Sequence, residues 1–178
     1  MSITMRRIVM TTAAMLVVGI PFAGAADKDD KKAAKVPPTP PMTVYENALG
    51  DGWENKSSAK TELALEIAGS ARKPIKVEAE SGQALHLYHA PFDTTGLRKL
   101  GFLIQGSAPD KEVRVFVLSD GKPNGEGKLV KFSNTGWTKV EVPLATLGSE
   151  DKVVDGIWIQ NASAEALPKF YVTEIKLD

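Results

Sequence analysis

The 178-residue chain has no cysteine, two histidines and only 7% aromatic residues, and its 22 basic residues balance its 22 acidic ones. Without cysteine there is no disulfide, no thiolate metal site, no cysteine nucleophile and no lipid-modified cysteine. The histidines, His86 and His89, stand three residues apart. On a strand that spacing turns them to opposite faces, where they do not chelate one ion, and a zinc site needs further ligands. Balanced charge leaves no basic face for nucleic acid or for an anionic membrane surface. The G-x-S-x-G elbow, the H-E-x-x-H pair, the phosphate-binding P-loop and the dinucleotide glycine pattern are all missing, so the chain reads as non-catalytic. No helical hydrophobic period of useful length appears either.

One long apolar run exists, Ile8 to Phe22, behind Arg6 and Arg7 and with no acid before Asp27. It ends in Ala23-Gly24-Ala25, the small-x-small pattern that a signal peptidase accepts. Thr11, Thr12, Gly19 and Pro21 interrupt it, and it is short of the roughly 20 residues of a membrane span. Residues 1–25 are therefore expected to be a cleaved signal peptide, giving an exported protein, periplasmic or extracellular, with no membrane span afterwards. They hold two of the basic residues and no acid, leaving 20 basic against 22 acidic residues in the rest. Residues 26–41 are dominated by Asp, Lys, Ala and Pro. They are expected to form a disordered linker, stiff and polyproline-like over Pro37-Pro38-Thr39-Pro40-Pro41.

From 42 to 178 the pattern is of short β runs separated by Gly, Pro, Asp and Asn. The expected strands are 43–46, 62–68, 75–79, 84–88, 99–105, 112–118, 127–132, 138–142, 154–160 and 170–177. Val113, Val115 and Val117 share one face, as do Val140 and Val142. Turn chemistry lies between them in Ser107-Ala108-Pro109-Asp110, in Asp120–Gly125 and in Asn134-Thr135-Gly136. Leu144–Leu147 is expected to form one helical turn after Pro143. In 61–68, Leu63, Leu65 and Ile67 alternate, but the composition also suits a helix. About ten short strands predict an all-β antiparallel two-sheet sandwich, a jelly roll.

Particular segments add to this: Val44–Leu49 leading to Gly52-Trp53; Ala84–His89 with Phe92–Gly96; Leu100–Gly106; Gly136–Val140; Val142-Pro143-Leu144; Asp155–Gln160; and Phe170–Leu177. In this order they resemble the galactose-binding-like jelly-roll carbohydrate-binding modules of secreted bacterial proteins, over nearly all of 42–178. The resemblance implies a non-catalytic glycan-binding domain. Two places depart from it. Asn55–Lys60 offers no aromatic where such modules often have one, and Thr173-Glu174 stands where they often carry consecutive aspartates.

A sugar site needs flat aromatic surface for the ring and planar polar groups for its hydroxyls. If Leu85 and Leu87 face the core, His86 and Tyr88 face away; by the same alternation Arg114, Phe116, Trp158 and Gln160 do too. These six are the candidate ligand face, with Trp53 expected at its rim. Trp137, Tyr45 and Tyr171 are expected to anchor the core. Glu46, Asp93 and Glu174 are the candidate oxygen ligands of a structural calcium ion; no other cofactor is indicated. Asn55-Lys56-Ser57 and Asn161-Ala162-Ser163 match a short glycosylation pattern. The expected partner is a glycan. The alternative is an envelope protein, with the same face packed against it and no sugar bound.

Overall fold

The structure, a computed structural model, describes residues 40–178. The expected signal peptide and all but the last two residues of the expected linker lie outside the described residues.

Among the described residues twelve strands follow in chain order: β1 (Met42–Tyr45), β2 (Trp53–Asn55), β3 (Lys60–Glu62), β4 (Ile75–Ala79), β5 (Ala84–Asp93), β6 (Lys99–Gly106), β7 (Lys111–Ser119), β8 (Lys122–Pro123), β9 (Lys128–Phe132), β10 (Thr138–Pro143), β11 (Val153–Asn161) and β12 (Leu167–Leu177). Among the described residues no helix is long and apolar enough to cross a membrane. The strands form two antiparallel sheets. One runs β10-β6-β12-β4-β3, with β1 beside the end of β12. The other runs β2-β5-β11-β7-β8, with β9 beside β7.

The core lies between the sheets and follows the period of two. In β4, Ile75, Val77 and Ala79 are buried while Lys76 and Glu78 are less so. In β12 the inward residues change parity, from Phe170 and Val172 to Ile175 and Leu177. The register with β6 shifts between Thr173 and Lys176, and Glu174 takes a left-handed φ of 52°. A bulge absorbs the extra residue there. Thr173 Oγ1 donates to Glu46 O at 2.7 Å, tying the bulge to the end of β1. Thr173-Glu174 is thus a point of backbone geometry.

Two short strands, β2 and β8, were not visible as β runs. The expected strand 62–68 is a correction: only its first residue is extended. Ala64 turns left-handed (φ 53°), and Leu63 and Ile67 are left exposed. The excursion is held from below by Tyr45, whose hydroxyl accepts from Ala64 N (2.9 Å) and donates to Lys73 O (2.7 Å). Burial raises the Tyr45 phenol above its ordinary value, and the bond from Ala64 partly offsets this. After Pro143 the chain makes a single turn, Leu147 N donating to Pro143 O at 3.3 Å, with Leu144 and Leu147 buried. Tyr45 anchors the core as expected, whereas Trp137 and Tyr171 are only half-buried and stand outside it.

Candidate functional site

The two-residue alternation and the strand registers build a map of the outer face of the second sheet. Trp158 on β11 stands opposite His86 on β5 and opposite Phe116 on β7. One row further along, Gln160 stands opposite Ala84 and Arg114, and Arg114 opposite Leu129 of β9. One row the other way, Gly156 stands opposite Tyr88 and Leu118, and Tyr88 opposite Glu54 of β2. His86, Tyr88, Arg114, Phe116, Trp158 and Gln160 therefore share one face across three adjacent strands.

Their rings pack edge to face. His86 meets Trp158 with centroids 5.7 Å apart and planes at 79°; Phe116 meets Trp158 at 6.4 Å and 89°; His86 meets Tyr88 at 6.5 Å and 89°. This is the arrangement that ring quadrupoles prefer. Ala84, Phe116 and Leu118 are buried but do not belong to the core cluster, so the face carries a thin apolar layer of its own. The stretch after β8 covers part of it. Gly127 (φ 71°) lies so close that a Cβ there would stand 2.5 Å from the Phe116 ring. At Gly156 a Cβ would come within 3.1 Å of His86 Nε2 and 3.2 Å of Leu118 Cδ1, so glycine leaves room for both.

The polar members are held in place. Arg114 Nη1 donates to Glu126 O (2.9 Å), and Gln160 Nε2 donates to Gly82 O (2.7 Å). Beyond Arg114 and Leu129 the face opens into a groove of about 510 Å³, lined also by Glu112, Ser163, Glu165 and Leu167. Burial is the main cause that lowers His86 below its ordinary value, opposed by the charge of Asp155. Asp155 is itself buried, with Oδ2 accepting from Gly121 N at 2.9 Å. Asp155 Oδ1, His86 Nε2 and Trp158 Nε1 are buried without a hydrogen-bond partner among the described residues.

Trp53 is a correction. It is 5% exposed and belongs to the core, with His89 at 5.2 Å and Phe92 at 6.0 Å between centroids. The cause is register. Glu54 is the β2 residue opposite Tyr88, so Trp53, one position earlier, turns to the inner side. The edge that Trp53 was expected to rim is formed by Glu54 and Lys56 instead. Lys56 Nζ stands 3.3 Å from the centroid of the Tyr88 ring and 3.3 Å from Glu54 Oε2. Sequence reasoning missed Lys56, Leu129 and Asp155. A carboxylate inside the apolar run of β11 was the one available signal, and it pointed to Asp155.

The three acids named for calcium are not gathered into one set. Glu46 and Glu174 border one groove beside Thr173, but Arg72 Nε donates to Glu174 Oε1 at 2.6 Å. Asp93 lies on β5 in the other sheet and accepts from Thr95 N and Oγ1, both at 2.8 Å. Among the described residues no three His, Asp or Glu side chains converge as a metal site. The two glycosylation-like asparagines are both engaged. Asn55 Nδ2 donates to Thr61 Oγ1 (2.8 Å), and Asn161, buried, donates to Ala79 O (3.1 Å) and Glu165 O (2.7 Å).

No protein-family model and no curated protein matches the sequence. Solved structures do match the fold. A point variant of CBM29-2, a family 29 carbohydrate-binding module, superposes with a TM-score of 0.57 at 13% identity, covering 79% of this chain and 92% of that one. The family 11 carbohydrate-binding module of Clostridium thermocellum, in complex with a β-1,3-1,4-mixed-linked tetrasaccharide, gives 0.53 at 16% identity, covering 77% and 94%. Another CBM29-2 variant, complexed with mannohexaose, gives 0.51 at 12% identity, covering 77% and 89%. At these identities the likeness speaks for architecture: the chain has the jelly-roll sandwich fold that these carbohydrate-binding modules have.

Proposed function

We propose that the chain is a non-catalytic glycan-binding module that works from the outer face of the second sheet. The observation that carries the reading is the cross-strand row His86–Trp158–Phe116. Beside it, in the next row, stand the planar polar groups of Arg114 and Gln160. A pyranose presents an apolar face, which stacks on an aromatic ring, and a rim of hydroxyls, which planar amides and guanidinium groups read in pairs. The groove beyond Arg114 gives a longer chain somewhere to continue. The N-terminal pattern supports an exported protein, with residues 1–25 as signal, 26–41 as linker and 42–178 as the binding domain.

A second reading, an envelope protein that packs this face against a protein partner, is favoured by one observation. The face is partly filled already, by the Gly127 segment over Phe116 and by Lys56 over Tyr88. A fluorescence titration and thermal-shift screen of the purified protein against soluble glycans separates the two. The glycan reading expects a saturable response that weakens at least tenfold, about 1.4 kcal/mol, in Trp158→Ala with the circular dichroism unchanged. No response to any glycan would favour the protein partner.

A further inference from the structure

The edge of the face bears on the class of glycan, and the inference rests on the glycan reading just given. After β2 the chain continues along β5. Lys56 N donates to His86 O at 2.8 Å, Ser58 N to Ala84 O at 3.1 Å, and Ser57 Oγ accepts from His86 N at 2.9 Å. This backbone is fixed, and the alternation that points Glu54 outward points Lys56 outward as well. The ammonium at 3.3 Å covers one face of the Tyr88 ring, the space that a stacked sugar would need. A ligand stacked on that face of Tyr88 must therefore move it.

The charges of the face are arranged unevenly. Of the carboxylates near it, Glu54 pairs with Lys56 (3.3 Å) and Glu112 with Lys131 (3.4 Å), and Asp155 is buried beneath, while Asp110 and Glu165 line the groove beyond Arg114 with no ion pair among the described residues. Arg114 has no carboxylate partner among the described residues and donates only to a backbone carbonyl. Arg114 and Tyr88 lie four residues apart along the strands and two strands apart across them, roughly 16 Å by ordinary strand geometry. An oligosaccharide of a few residues covers that span. An acidic sugar gives the displaced ammonium and Arg114 a charged acceptor, bidentate at the guanidinium, where a neutral sugar offers only uncharged hydroxyls.

We propose that the face takes an acidic glycan, one bearing uronate carboxylates, and that Lys56 is a displaceable cap on Tyr88 that selects for it. The probes are a hexuronate oligosaccharide and the neutral hexose oligosaccharide of the same linkage, titrated against the full chain and its Lys56→Met variant. The wild type binds the uronate more tightly, and salt weakens that binding. In Lys56→Met the neutral sugar gains about two- to fivefold, the range of an exposed cation–π contact, while the preference for the uronate shrinks. Acetylation of Tyr88, read by mass spectrometry without ligand, is faster in Lys56→Met. Equal binding of both sugars, with no change in Lys56→Met, would overturn the inference and leave the glycan reading standing. If neither sugar bound either protein but another glycan of the screen did, the inference alone would fall; if no glycan bound, both would.

Discussion

His86 is the residue on which acidity acts first. Its ring lies in the apolar layer of the outer face, and burial holds its pKa below the ordinary 6.5. The unfolded chain therefore takes up this proton before the folded one does as pH falls. The stability that His86 contributes is present above about 6.5 and is lost as pH drops through the lower, folded value. The carboxylates Glu66, Glu78, Asp93 and Glu141, all outside the core, are also lowered, each mainly by hydrogen bonds to the charged form, from ordinary values of 4.5 or 3.8. Their contribution is lost only at more acid pH. The two windows can be told apart in melting curves taken from pH 7 to pH 3. In His86→Gln the fall between pH 7 and pH 5 shrinks, while the fall below pH 4.5 stays. An unchanged upper window would mean that His86 does not titrate across folding.

Between β11 and β12, a connection made of small residues keeps its shape through one side chain. Asn161 donates to Ala79 O and Glu165 O, and its Oδ1 accepts from Ser163 N and Ser163 Oγ. The loop stands as a ridge between the groove beside Arg114 and a second groove of about 610 Å³, lined by Ser58, Lys60, Glu78, Gln83 and Lys169. In Asn161→Ala these backbone groups lose their partners, and stability falls by about 1–3 kcal/mol. Chemical denaturation checks this; a loss below about half a kcal/mol would mean that water replaces the amide. The element scale is also where the sequence was easiest and hardest to read. Val113, Val115 and Val117 announce β7 because a half-buried strand must alternate. The same alternation in Leu63, Leu65 and Ile67 misleads, because Ala64 turns left-handed and Tyr45, distant in sequence, ties the loop down. β2 and β8, three and two residues long, owe their strand form to neighbouring strands, so no local pattern marks them. Alternation within β5, β7 and β11 put six side chains on one face. Lys56 and Leu129 reach that face through pairings with strands far along the chain, which composition and spacing do not encode.

At the scale of the molecule, the core and the outer face are separate. Phe170 is fully buried between the sheets, with Phe132 at 5.7 Å. Trp158 is half-buried in a layer that the core cluster does not include. Phe170→Ala is expected to cost about 3–5 kcal/mol, the range for a large core truncation. Trp158→Ala is expected to cost clearly less, with a single cooperative transition kept in both. Equal losses in denaturant titrations would mean that the layer is as much a part of the fold as the core is.

That separation also bears on descent. A sandwich whose outer layer is not wired into its core can change that layer, one side chain at a time, without having to find a new core. Drift at Phe116, Trp158 or Arg114 then alters what the surface meets and leaves the architecture standing. Chains related by such drift would share a shape long after their sequences had parted.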